Sequence, residues 1–323
     1  MAIEQASDAA RSTSAHNMTL HETAVNGISV KVKEFHARKE GFRVYHGSTN
    51  TTRRNNRNAT NSVDVSMLNH VLKVDTAAKV AQVEPNVAMD ELVAETLKYG
   101  LIPPVVMEFP GITTGGGFAG TGGESSSFRY GTFDRIVNRI EIVLTNGSIV
   151  TASETENSDL FSGSAGAFGT LGLITLLEVQ LIEAKPYVQL QYHPVSTVQE
   201  AVDVSREQCK LEKGNQFVDG ILFYPAGSRP HNGMMIDNKL CFPNERRLYN
   251  GVIITGTLVD APSSSKDITR YWRAQDPWYY DDVQKKLDRL SWAQTYSSLT
   301  TPPAKPVDNA TPEKPLPAQP DLS

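Results

Sequence analysis

The stretch Pro110-Gly111-Ile112-Thr113-Thr114-Gly115-Gly116-Gly117-Phe118-Ala119-Gly120-Thr121-Gly122-Gly123-Glu124-Ser125-Ser126-Ser127 lies inside a β-rich region, and seven of the thirteen residues from Gly111 to Gly123 are glycine. Glycine loses more backbone freedom on ordering than any other residue, so a plain connector gains nothing from such a density. Flexible linkers of that composition join domains and do not usually sit between strong β-runs within one. The stretch therefore points to backbone that approaches something flat or phosphorylated. It is not a Walker loop, because no Gly-Lys-Ser/Thr follows, and it lacks the strand–helix setting of a Rossmann fingerprint.

Downstream, Ile136–Leu144 and Ser148–Ala152 flank Asn146-Gly147, a strong hairpin signal, and Leu171–Ile182 is another long β-run entered through Gly169-Thr170-Leu171-Gly172. Upstream, Val80–Val83 reads as a strand and Met89–Tyr99 as a helix, with Asp90 and Glu91 in its first turn and Gly100 at its end. Further upstream an amphipathic helix is expected over about 23–39, then a short β-run, Phe42–Tyr45, that stops at Gly47-Ser48-Thr49-Asn50. Small residues after a strand let N–H groups converge on an anion, to which Arg53 adds a charge-assisted bond; the same residues also serve plain turns.

These elements make an α+β unit over 23–186, ending near Lys185-Pro186. A second α+β unit, 187–299, is read from a strand (Val188–Tyr192), a helix (about 196–212) and two strands (Val218–Tyr224 and Gly251–Val259). The loop 225–248 has too little periodicity for an element, and a helix is expected around Trp278–Trp292. Residues 1–22 and 300–323, the latter with seven prolines, are expected to be disordered.

The 323-residue chain has a formal net charge of −5, which excludes a global basic field for nucleic acid or anionic lipid. No run approaches the roughly 18 apolar residues of a membrane span. Cys209 and Cys241 fit no CxxC or metal spacing, and with no visible leader they suggest a reducing, cytoplasmic setting.

Phe42–Arg53, Val83-Glu84-Pro85, the glycine-dense stretch with Tyr130-Gly131, Asn157–Phe161 and Gly169–Gly172 together resemble the FAD domain of the Δ24-sterol reductases, which are PCMH-type (vanillyl-alcohol-oxidase) flavoproteins. The resemblance continues through Phe217–Gly220 and Pro277–Tyr280, covering roughly residues 23–285. It implies an α+β fold: a PCMH-type FAD-binding domain of two subdomains followed by a partial substrate (cap) domain. By the same resemblance His46, Gly47, Ser48, Thr49 and Asn50 face the pyrophosphate. Gly111, Thr113, Thr114, Gly115 and Gly116, then Gly120, Thr121, Gly122, Gly123, Ser125 and Ser126, run along pyrophosphate and flavin. Gly169, Thr170, Leu171 and Gly172 lie near the adenosine or ribityl part. Backbone amides at close range neutralise a diphosphate without a basic surface, which reconciles FAD with an acidic chain. Relatives with covalent flavin use a His or Cys beside the ring; Gly123-Glu124 stands where several have Gly-His, which implies non-covalent FAD.

For catalysis the candidates are Glu124 and Tyr130 as proton carriers and Arg129 as a stabiliser of anionic reduced flavin. Equally, Glu124 caps backbone amides and Arg129 is paired on the surface. Tyr192 and His193 are weaker candidates. Sterol reductases of this group continue well beyond the position of Trp278, so a shortened cap is expected here. The chain is open to three readings: an FAD-dependent oxidoreductase of secondary metabolism acting on a lipophilic small molecule (terpenoid, sterol-like or polyketide), a flavin-binding enzyme of non-redox cyclisation or isomerisation, and a non-catalytic flavin-binding remnant. A homodimer anchored by Trp278, Tyr279, Tyr280 and Trp292 would close a shortened cap.

Overall fold

The computed structural model describes residues 2–47, 60–109, 111–223, 234–236, 239–241, 250–261 and 268–269. Helix α1 (Ala2–Arg38) opens the chain. Its apolar residues Val25, Ile28, Val32 and Phe35 recur at three- and four-residue spacing, forming the stripe an amphipathic helix buries, and they pack on Val63, Val65, Leu68, Val143 and Leu173. Strand β1 (Arg43–Tyr45) runs parallel to β2 (Ser62–Asp64). Then come β3 (Val71–Asp75), β4 (Val80–Val83), α2 (Met89–Leu97), β5 (Leu101–Ile102), α3 (Thr114–Ala119), α4 (Ser127–Tyr130), β6 (Val137–Leu144), β7 (Ile149–Ser153), α5 (Ser158–Ser164), β8 (Gly172–Gln180) and β9 (Ile182–Glu183). Strands β3-β4-β8-β6-β7, in that order, form an antiparallel five-stranded sheet.

The chain continues through β10 (Tyr187–Val195), α6 (Val198–Gln208), β11 (Phe217–Phe223), β12 (Met234–Ile236), β13 (Lys239–Cys241), β14 (Asn250–Val259) and β15 (Ile268–Thr269). A second sheet has the order β11-β14-β10-β15, all antiparallel, with α6 against it. One apolar cluster joins the two sheets: Leu177 and Val179 of β8 belong to it together with Val188 and Leu190 of β10 and Val252 and Ile254 of β14. The α+β class is as the alternating patterns indicate.

Three expectations change. Helix α1 begins at Ala2, within the segment read as disordered, and His21 is only 3% exposed. The polar composition of that segment hides the helix: among its described side chains the buried one is His21, and the apolar stripe starts only at Val25. Within the loop 225–248, β12 and β13 pair as a short hairpin, three residues on each side, too short to register as periodicity. The glycine-dense stretch contains a short helix, α3, capped by Thr113, whose hydroxyl accepts from the Gly116 N–H, and a second short helix, α4, begins at its last residue, Ser127. The helix expected over Trp278–Trp292 and the tail 300–323 lie outside the described residues.

The Asn146-Gly147 hairpin joins β6 to β7, with Gly147 at φ +81°. It also docks α1, since Ser29 Oγ donates to the Gly147 carbonyl at 2.6 Å, and an added Cβ at Gly147 would meet the Ser29 carbonyl at 2.8 Å and the Lys33 side chain. Gly147→Val therefore combines a left-handed backbone with a clash, and is expected to destabilise the fold by about 2 kcal/mol or more. Urea unfolding measures this, and a loss below about 0.5 kcal/mol, as at an ordinary surface site, would show that the hairpin and α1 are not held in this geometry.

Candidate functional site

Three segments far apart in sequence meet at one cavity of about 470 Å³: His46 after β1, the glycine stretch at Gly111, Thr113, Gly115, Gly116 and Gly120, and the entry to β8 at Gly169 and Gly172. Apolar side chains complete it, with Val44 and Val65 from the β1–β2 side, Pro85 beyond β4, and Leu173 and Ile174 from β8. Asn86 also lines it and is fixed from behind, its Nδ2 donating to the Val65 carbonyl at 2.5 Å and its N–H to that of Leu68 at 2.9 Å.

The glycine stretch does not act as a row of spare N–H donors. Thr114 N–H donates to Val87 O, Gly115 N–H to Pro85 O, Gly117 N–H to Thr113 O, Gly120 N–H to Gly116 O and Gly122 N–H to Gly117 O, at 2.8–2.9 Å. Nor do its glycines from Gly115 to Gly123 adopt positive φ. Close packing explains several of them instead. A Cβ on Gly115 would meet Pro85 Cβ at 2.6 Å, and one on Gly117 or Gly122 would strike the Met107 side chain. Gly116 is different: it is exposed, it lines the cavity, and an added Cβ would meet only Thr113 Oγ1, at 3.1 Å.

Of the other expected site residues, Gly47 follows His46 with φ +75°, and Ser48, Thr49 and Asn50 lie outside the described residues, as does Arg53. Thr114 is fully buried and holds the Glu84 carbonyl through its hydroxyl at 2.9 Å. Thr121, Gly122, Gly123, Ser125, Ser126, Thr170 and Leu171 are not among the residues lining the cavity. The Ser125 carbonyl instead accepts from Val218 N–H at 2.8 Å, tying the stretch to β11. Sequence reasoning missed Phe168, a cavity-lining side chain 67% exposed with φ +51°. Its turn is pinned to α3 by Gly166 N–H to Phe118 O and Phe168 N–H to Ala119 O. No local signal marks a phenylalanine for a left-handed position that disfavours it.

Glu124 lies beyond the cavity lining, where Oε1 accepts from Glu108 N–H at 2.6 Å and Oε2 from Ser125 N–H at 3.2 Å. Burial pushes its carboxyl up to about 7; the two N–H bonds oppose the rise, and the Asp219 and Glu108 charges add to it. Arg129 Nη2 donates to the Asn215 carbonyl at 2.9 Å, while its buried Nε makes no hydrogen bond. Tyr130 packs against the main apolar cluster. In β10, His193 Nε2 lies 3.2 Å from Thr255 Oγ1 and burial lowers its pKa. Tyr192 beside it is buried in the main apolar cluster.

Residues 23–153 match the family model described as an FAD binding domain. The chain is 31% identical over 277 residues to the Delta(24)-sterol reductase of Mus musculus and 31% identical over 276 residues to that of Homo sapiens, each alignment covering 83% of this chain and 48% of the relative. It is also 38% identical to Cytokinin dehydrogenase 9 of Oryza sativa subsp. japonica over 95 residues, 29% of this chain and 18% of that protein. The chain thus spans about half the length of the sterol reductases it matches. Its cofactor is FAD, and the chain is a Δ24-sterol-reductase-like, PCMH-type FAD-binding protein.

Proposed function

We propose that this protein is an FAD-dependent oxidoreductase acting on a lipophilic small molecule, sterol-like, terpenoid or polyketide, and that the 470 Å³ cavity holds part of the dinucleotide. The convergence of three separate segments on that cavity carries the reading. Its size falls within the roughly 300–1,000 Å³ of small-molecule sites, and its walls are apolar with few polar groups. The glycine rim at Gly111, Gly115, Gly116 and Gly120 lets a flat or chain-like ligand lie close to backbone. With the amides named above already paired, donors for the diphosphate come from His46 and from Thr113, whose hydroxyl sits at the rim. Bound FAD supplies two-electron exchange with the substrate. The apolar walls Val44, Val65, Leu173 and Ile174 would hold the part of the dinucleotide that lies in the cavity. Glu124, with a carboxyl that is half-protonated at about pH 7, serves as proton donor or acceptor on the side of β11.

Flavin is held without a covalent bond: denaturation in acid is expected to leave FAD, not FMN, in the supernatant. Colour retained in the pellet would assign a covalent link, with His46 the residue to examine. Bleaching of the bound flavin by a candidate substrate, or reoxidation of reduced flavin by it, identifies the redox reaction; turnover without any change in flavin absorbance would move the protein to non-redox chemistry.

The glycines separate into two classes that substitution can tell apart. Gly116→Val places a side chain at the cavity rim with only Thr113 to displace, and is expected to lower FAD affinity about tenfold or more while the unfolding transition stays near that of the parent. Gly117→Val and Gly122→Val press on Met107 and are expected to cost about 1–3 kcal/mol of stability. Equal FAD affinity in parent and Gly116→Val would remove the cavity from the cofactor site.

A pH titration of the FAD-loaded protein followed by flavin absorbance tests Glu124. Because its pKa is raised to about 7, the carboxyl is neutral below that pH and charged above it. The expected transition near neutrality disappears in Glu124→Gln; its persistence there would exclude Glu124 as the group beside the flavin.

A further inference from the structure

His21 lies outside the segment matched by the FAD-domain model, which begins at residue 23. It is nonetheless one of the most buried polar residues of the chain, with Nδ1 2.7 Å from Glu84 Oε1 and Nε2 3.2 Å from Glu141 Oε1. Both ring nitrogens thus face carboxylates, which only a doubly protonated imidazole satisfies. Glu84 is itself 2% exposed, and its other oxygen accepts from the His70 N–H at 2.8 Å and lies 3.0 Å from His70 Nδ1. Glu141 Oε1 also accepts from Thr175 Oγ1 at 2.6 Å.

Immediately after Glu84 the chain forms the cavity wall. Pro85 and Asn86 line it, the Glu84 carbonyl accepts from Thr114 Oγ1, and the Pro85 carbonyl accepts from Gly115 N–H. Helix α1 contributes a second support, since its apolar stripe packs on Val65 and Leu173, which line the same cavity.

We infer that His21 is a positioning residue for the cofactor: by bridging Glu84 and Glu141 it fixes the Glu84–Asn86 segment against helix α3, and so couples the docking of helix α1 to FAD affinity. The inference rests on the reading of the cavity as part of the FAD site. Burial alone would lower the His21 pKa, but hydrogen bonds and charge from Glu141 and Glu84 outweigh it and raise it from 6.5 to about 9. Since the folded value is the higher one, the bridge is intact at neutral pH and is lost as pH rises through about 9. The elements packed on α1 bring few other charges to His21: Glu141 comes from β6, Asp64 of β2 is hydrogen-bonded by Ser66, and Lys73 and Asp75 of β3 pair with each other.

The test is the dissociation constant of FAD for the full chain, from about pH 6.5 to about pH 9.5, with far-UV circular dichroism read at each pH. In the parent, affinity is expected to fall about tenfold, within the usual range of coupling between sites, as pH passes about 9, with secondary structure retained. In His21→Gln the affinity is expected to be weak already at neutral pH, with the dependence near 9 abolished. A parent affinity that is flat through pH 9 overturns the inference, and so does a His21→Gln variant that keeps both the parent affinity and its pH profile. Should His21→Gln fail to fold, the parent profile decides alone. Absence of FAD binding at every pH would instead overturn the cavity reading and this inference with it, whereas pH-independent binding that Gly116→Val weakens would leave the cavity reading standing and remove only the role of His21.

Discussion

Thr114 has no exposed surface, and its hydroxyl and N–H are spent on the carbonyls of Glu84 and Val87, both at 2.9 Å, while Gly115 N–H reaches Pro85 O at 2.8 Å. These bonds lace the segment after β4 to the first turn of α3. Leaving any one of them unmade would cost about 1–3 kcal/mol, because the orphaned group is already out of water. The lacing also dictates Gly115, since a Cβ there would overlap Pro85. This contact sets the remaining geometry. Residues Gly116 and Gly120 are turned to the cavity, Phe118 is buried against Phe161 with ring centroids 5.9 Å apart, and the Gly166–Phe168 turn is bonded to the end of α3.

The strands around the site are readable because their signals are local. Val80–Val83 coincides with β4, the Asn146-Gly147 turn dictates the β6–β7 pairing, and the helix expected over Met89–Tyr99 ends two residues earlier, at Leu97, whose carbonyl accepts from Gly100 N–H at φ +71°. The glycine density correctly marks a place of close approach, but composition does not say approach to what. Part of that density faces a cavity and part faces Met107, and only the packed structure separates the two. Asn86 and Val65 reach the site through contacts between segments about twenty residues apart, which carry no periodic signature. The helix expected over about 23–39 is the second half of α1, and the part before residue 23 is the largest omission. That part lacks an apolar stripe, and the residue that anchors it, His21, is a polar one whose partners lie 63 and 120 positions away.

The far end of the glycine stretch belongs as much to the second sheet as to the first. Ser125 O accepts from Val218 N–H, and Arg129 reaches the carbonyl of Asn215 just before β11. Glu124 sits at this seam. The Asp219 carboxyl is also raised, by lost hydration and by the Glu108 charge. The Glu124 carboxyl, pushed up to about 7 by burial with the Asp219 and Glu108 charges adding to the rise, is half-protonated near neutrality. A proton kept at the junction of the two sheets is available to whatever the second sheet helps to enclose.

An acidic chain that takes up a dinucleotide must keep its own carboxylates from opposing the diphosphate. Glu84 is the critical case, for it directly precedes the wall residues Pro85 and Asn86. Its oxygens are directed into two histidines that do not line the cavity, one on helix α1 and one just before β3. The buried pair with His21 contributes little as a source of stability in itself, because desolvating both charges offsets most of their attraction. Its consequence is geometric and electrostatic: a negative charge behind the wall is matched by a positive one, and the segment bearing it is held in a single position. On this reading helix α1 supports the cofactor site although none of its described side chains lines the cavity.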